Sequence, residues 1–272
     1  MSSRRTALLA GLLALTLSAG LAGSALATPI ALPGDPLTAA SGLASPPKKE
    51  IAMRLVSSAE NSSLNWRAQY RYIEDIHDGR GYTAGIIGFC SGTGDMLEVV
   101  QAYTRARPRN GLARFVRALK RVNGTDSHAG LGRKFVKAWR RAAKNPAFRR
   151  AQDKERDRVY FRPSVALAQA DGLQSLGQFA YYDAAVVHGF DGMRSVRDRA
   201  LARAQTPAAG GDERSYLEAF LDERVVEMKK EAAHEDVTRI ETAQRRFLRE
   251  GNLDLVLPLR WAVYGDQFSI TR

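Results

Sequence analysis

Two carboxylates stand out for what they could do together. Glu60 closes a helix-forming run that begins at Ile51, in the company of Val56, Ser57, Ser58 and Ala59. Asp78 follows in Ile76-His77-Asp78-Gly79-Arg80-Gly81, a glycine-rich turn. Cleavage of a glycosidic bond commonly takes one protonated carboxyl group and one ionised one. Small and apolar neighbours would disfavour charge on Glu60, as a general acid requires. Asp78, beside Arg80 and two glycines, would stay ionised, and such a contrast separates an acid from a base. Each residue also has a plainer reading. A Glu at a helix end is ordinarily solvated, and Asp-Gly is ordinarily a turn. Residue types alone leave both readings open.

The elements that must position this pair are mostly helical. After Pro47 apolar residues recur at helical spacing over most of the chain, which predicts a mainly α fold. Pro47 opens a first helix through Ile51, Leu55, Val56 and Ala59, which runs into Glu60-Asn61-Ser62-Ser63. Further helices are expected over 96–103, 112–122 and 135–143, and Pro146 begins another that Pro163 ends. Pro163 should then open a long helix reaching His188, apolar nearly all round and therefore central. Helices over 191–204, 213–235 and 237–250 complete the pattern. One segment departs from it. Tyr70 to Ser91 is dense in glycine and carries the β-formers Tyr82, Thr83, Ile86, Ile87 and Phe89, so a small hairpin or sheet is expected there and nowhere else. A glycine-dense insert is costly to order, which points to function in that segment.

Composition limits the classes of function. Arg4 and Arg5 precede the apolar run Ala7 to Leu17, and Ala25-Leu26-Ala27 offers a cleavage site, so residues 1–27 read as an export signal. The run is too short for a membrane span. Two arginines would also suit a twin-arginine signal. Residues 28–47, rich in Pro, Ala, Gly and Ser, read as a flexible leader before a folded part at 48–272. Removing the signal lowers the formal net charge from +12 by two, to +10. A single cysteine, Cys90, rules out an intramolecular disulfide, and its apolar neighbours suggest a buried small hydrophobe rather than a catalytic thiolate. Four histidines without ligand spacing give no metal site and no cofactor. The basic balance raises nucleic-acid binding, but no binding motif accompanies it, and Lys134-Lys137-Arg140-Arg141-Lys144 reads as a solvated helix surface. Neither nucleic acid nor membrane is therefore expected as a partner.

Several long motifs, in one order, carry a resemblance. They are residues 50–64 (EIAMRLVSSAENSSL), 72–76 (YIEDI), 78–83 (DGRGYT), 85–98 (GIIGFCSGTGDMLE), 155–161 (ERDRVYF), 177–184 (GQFAYYDA) and 251–255 (GNLDL). Together they resemble the bacterial chitosanases of glycoside hydrolase family 46. The resemblance implies a two-lobed, lysozyme-like fold with a long central helix and a small β-region beside the cleft. It implies a secreted, monomeric endo-chitosanase that cuts β-1,4 links between glucosamine units of chitosan with inversion, without a cofactor. Glu60 corresponds to the general acid, Asp78 to the base, and Thr83 to the threonine that helps place the attacking water. Asp183, Arg224 and Arg239 match a charged network behind the acid. Ser62, Tyr72, Arg80, Thr93, Asp95, His234 and Asp266 fall where family members hold the sugar chain. Two departures are visible: the loop Gly189–Gly192 looks short, and Glu235 stands where some members have Asp.

The residues keep rivals open beside that resemblance. A muramidase or chitinase acting on N-acetylated chains would use the same pair of carboxylates. A charge of +10 also sits awkwardly with a polycationic substrate, which predicts acids in the cleft and bases outside it.

Overall fold

The computed structural model describes residues 42–230 and 236–272. The expected export signal, the expected leader up to residue 41, His234 and Glu235 lie outside the described residues. The end of the expected leader differs from its reading. Leu43 is fully buried, and its N–H donates to Gln178 Oε1 at 2.8 Å. Residues 42–47 are therefore part of the packed chain, because an apolar side chain among the small residues finds the core.

Helix α1 (Pro46–Asn61) begins at a proline, which suits a position whose N–H has no helical acceptor. Its buried stripe includes Ile51, Ala52, Leu55, Val56 and Ala59. The helix stops where Ser62 adopts φ +46°, and the Ser62 N–H returns to the Ser57 carbonyl. The glycine-dense segment forms the expected sheet. Strands β1 (Ile73–Asp75), β2 (Tyr82–Ala84) and β3 (Phe89–Cys90) pair antiparallel in that order. Helices α2 (Asp95–Ala106), α3 (Val116–Val122), α4 (Arg133–Ala142) and α5 (Pro146–Arg156) follow.

Pro163 does not end a helix. Residues 157–161 form one wide π-turn, after which α6 (Arg162–Ala170) continues with Pro163 in its first turn. There its missing N–H costs nothing. The real break is Asp171-Gly172, where Gly172 takes φ +77°. The central helix α7 thus spans Ser175–Leu201, not a run opened by Pro163. It bends at Gly189 (φ 72°, ψ 167°), so Gly189–Gly192 is a kinked part of this helix rather than a loop. Helix α8 (Glu213–Met228), a π-turn over Arg239–Gln244 and the short α9 (Arg245–Arg249) come next.

A second β-element was not expected. Strands β4 (Leu259–Val263) and β5 (Asp266–Ile270) form a hairpin closed at Tyr264-Gly265. Both turn residues have positive φ, the geometry of tight hairpins.

The packing falls into two lobes. One is built on α2 to α5 with the β1–β3 sheet, the other on α6 to α9 with the β4–β5 hairpin. Helix α7 is the axis of the second lobe, packed against α1, α6 and α8, and residues 175–185 are buried on every side.

Candidate active site

Glu60 sits in the last turn of α1, mostly buried, with a guanidinium behind it. Arg239 Nη1 donates to Glu60 Oε1 at 2.7 Å. The same guanidinium donates through Nη2 to Asp183 Oδ1 at 2.7 Å. Asp183, from the middle of α7, also lies 2.7 Å from Arg224 Nη2, the two being 2% and 0% exposed. Two buried cations thus alternate with two carboxylates. The arrangement is expensive to break, because each charge has been taken out of water.

Burial opposes the charge on Asp183, yet Arg239 and Arg224 hold its carboxyl down to about 2. A carboxyl depressed in the folded state stabilises the fold above its ordinary value and stops doing so as pH falls through the depressed one. For Asp183 that window runs from about pH 4 down to about 2, and its contribution is about 2 kcal/mol. Acid titration followed by far-UV circular dichroism should therefore show stability falling across that window. A stability curve flat from pH 4 to 2 would mean Asp183 is not held this way.

Asp78 lies across the sheet lobe, in the turn between β1 and β2. Its Oδ1 accepts the Arg80 N–H at 3.1 Å and its Oδ2 accepts Arg80 Nε at 2.8 Å. Arg80 therefore fixes the carboxylate's direction from only two residues away. The turn is anchored by close backbone approach. Gly81 has φ +72°, and a Cβ there would lie 2.4 Å from Ser91 Oγ. The space is taken because Ser91 Oγ accepts the Tyr82 N–H at 2.9 Å. Thr83, on β2, is fully buried, with Oγ1 3.5 Å from Cys90 Sγ. Burial pushes the Cys90 thiol up to about 11, so it is an inert filler.

Asp95 opens α2 on the same lobe. Its Oδ1 accepts from Thr93 Oγ1 (2.7 Å) and from the Cys90 and Met96 N–H groups, both at 2.9 Å. Burial pushes the carboxyl up to about 6 against those donors. Asp95 is thus a helix-start acid held by three donors on one oxygen. Tyr72 is half-buried, and its hydroxyl lies 3.4 Å from Glu74 Oε2. Ser62 is exposed two residues beyond Glu60, and Asp266 is exposed at the start of β5. Glu60, Ser62 and Asp266 thus come from the lobe side of α7, and Tyr72, Asp78, Arg80, Thr93 and Asp95 from the sheet lobe. That is the distribution a substrate cleft between lobes requires.

The profile of glycosyl hydrolase family 46 matches residues 54–259. The chain belongs to this family. It is 61% identical to a chitosanase of Streptomyces sp. (strain N174) over 85% of each chain. It is 55% identical to a chitosanase of Nocardioides sp. (strain N106), over 98% of this chain and 96% of the other. A solved chitosanase with substrate is similar with a TM-score of 0.81 and 58% identity, covering 85% of this chain and 99% of that one. The chain is a glycoside hydrolase with a lysozyme-like, mainly α fold.

Family 46 membership makes four further contacts informative. Gln244 Nε2 donates to Asp183 Oδ2 at 2.8 Å, and its Oε1 accepts Arg224 Nη1 at 3.1 Å. It braces the Asp183–Arg224 pair, and its only sequence signal was an amide on an otherwise apolar helical face. The unexpected hairpin reaches the acid as well. Trp261 Nε1 donates to Ser58 Oγ at 2.9 Å, two residues before Glu60. The Tyr264 N–H donates to Thr238 Oγ1 at 3.0 Å, next to Arg239. Burial raises the Tyr264 phenol, with Arg239 pulling against it and Glu60 adding to it, so the ring shares the field of the acid. The hairpin therefore clamps both α1 and the Arg239 turn.

Proposed function

We propose that this family 46 hydrolase is an exported endo-chitosanase that cuts β-1,4 links between glucosamine units with inversion, Glu60 acting as acid and Asp78 as base. The observation that carries the reading is that the two carboxylates stand on opposite lobes, each oriented by its own arginine, Glu60 by Arg239 and Asp78 by Arg80. Arg239 occupies Glu60 Oε1, which leaves Oε2 to carry a proton toward the leaving oxygen. Asp78 is steered by Arg80 from the opposite lobe, and an inverting mechanism needs room between the two carboxyl groups for a water. Asp78 takes a proton from that water as it attacks the anomeric carbon, and Glu60 gives its proton to the departing sugar. Thr83 supports the water once its hydroxyl turns away from Cys90. Residues 1–27 serve as the export signal, and the mature chain works as a monomer without a cofactor. No helix among the described residues is long and apolar enough to cross a membrane.

The half-buried carboxylate of Asp95 supports an amino sugar as substrate, since an ammonium group takes a carboxylate partner. Asp95 loses its proton near pH 6, so KM for a glucosamine oligomer should fall as pH rises through about 6. Asp95→Asn should raise KM and flatten that dependence while changing kcat less. A KM profile identical in the two proteins would remove Asp95 from the binding surface. The substrate class is tested by reducing-end release from fully deacetylated chitosan, chitin and bacterial cell walls. Chitosan should be cut fastest. Activity confined to the acetylated polymers would favour the muramidase or chitinase reading.

A further inference from the structure

The charge of the chain is unevenly placed. Residues 105–150 hold fifteen Lys and Arg against one acid, Asp126, while the rest of the chain has two more acids than bases. This segment therefore accounts for more than the whole net charge of +12. Elsewhere arginines are heavily paired, as Arg245 is with Glu218, Asp222 and Glu241. Within 105–150 the side-chain bonds of Arg140 and Arg149 go instead to the backbone carbonyls of Ile73 and Ala143.

Four of these cations surround one open pocket of about 470 Å³. Arg114 stands on one side, and Lys134, Lys137 and Arg141 on the other, with Tyr103 and Asn145 completing the wall. No carboxylate lines it. Lys134, Lys137 and Arg141 are exposed and spaced to share one face of α4, spreading charge over about 10 Å. Tyr103 is eight residues beyond Asp95 on α2, or about 12 Å along the axis, so the pocket is remote from the sugar-binding acid. The aromatic residues of the region, Tyr103, Phe115, Phe135 and Trp139, are buried. The face thus has neither stacking platforms for nucleic-acid bases nor an apolar anchor for a bilayer.

We infer that this basic face binds an acidic polysaccharide, whose carboxylates pair with Arg114, Lys134, Lys137 and Arg141. The inference rests on the chitosan reading in one respect. A polycation can pair with a polyanion, and in such a complex of two polymers chitosan would bring a carboxylate-bearing partner to the enzyme. The acidic cleft takes one polymer and the basic face holds its counterpart, which also removes the conflict between a basic protein and a cationic substrate.

The test uses the full chain and polygalacturonate as probe, at about 0.15 M salt. The triple variant Lys134→Gln, Lys137→Gln, Arg141→Gln should bind the probe on the order of tenfold more weakly or worse. The charge-keeping triple Lys134→Arg, Lys137→Arg, Arg141→Lys should bind as the native protein does. Degradation of a chitosan–polygalacturonate complex should slow several-fold in the glutamine variant, with hydrolysis of soluble glucosamine oligomers unchanged. Native-like probe binding by the glutamine variant would overturn the inference. So would preferential binding of duplex DNA or of phosphatidylserine vesicles by the native protein. Failure of the native protein to cut glucosamine oligomers would instead refute the chitosan reading and leave the basic face standing.

Discussion

Replacing Glu60 by Gln should lower kcat on chitosan by a factor on the order of 10² to 10⁴ while leaving KM near its native value. Glutamine keeps the volume of the side chain and an oxygen that can accept the Arg239 Nη1 hydrogen bond, 2.7 Å in length. It removes the proton that the leaving sugar needs. The fold should survive, because Arg239 retains its bonds to Asp183 and only one partner loses charge. Initial rates on a glucosamine oligomer, paired with thermal unfolding, separate the two effects. A variant within about tenfold of the native rate would mean that another group supplies the proton.

Asp183→Ala should have the largest effect on stability. The carboxylate is 2% exposed and lies between Arg224 and Arg239, themselves 0% and 6% exposed. Its removal leaves two buried guanidinium groups facing each other with one anion, Glu60, between them and solvent. Breaking a buried pair in this way costs about 3–5 kcal/mol. For a domain of this size that corresponds to a fall in Tm on the order of 10 °C. Activity should fall too, since Arg239 would then press on Glu60 without a counterweight. Thermal unfolding by circular dichroism reads the effect. A Tm within about 2 °C of native would show that the network is not under this strain.

Residues at short range were legible in the sequence, and residues joined at long range were not. Helix α1, the sheet segment and the starts of α4 and α5 followed from apolar spacing and from Pro47 and Pro146, with α1 starting one residue earlier, at Pro46. Pro163 misled because a π-turn places it where a helix tolerates proline, and the true break at Asp171-Gly172 falls between Ala168 and Leu173, which read as one apolar helix. The C-terminal hairpin had a readable signal. Leu259, Trp261 and Val263 alternate with outward residues before Tyr264-Gly265, and the helical reading of the rest of the chain hid it. For the site, Glu60 and Asp78 could be nominated from local chemistry alone. Their partners could not, because Arg239 meets Glu60 across 179 positions of sequence and no local pattern records that contact. The family motifs supplied Asp183, Arg224 and Arg239, whereas Gln244 and the Trp261–Ser58 bond emerged only from packing.

Inversion by Glu60 and Asp78 is tested most directly by NMR of the products as a β-linked glucosamine oligomer is digested. The new reducing ends should appear first as the α-anomer, with the β-anomer growing in later by mutarotation. Initial β-anomer would mean retention of configuration, and would contradict a base on one lobe activating water against an acid on the other.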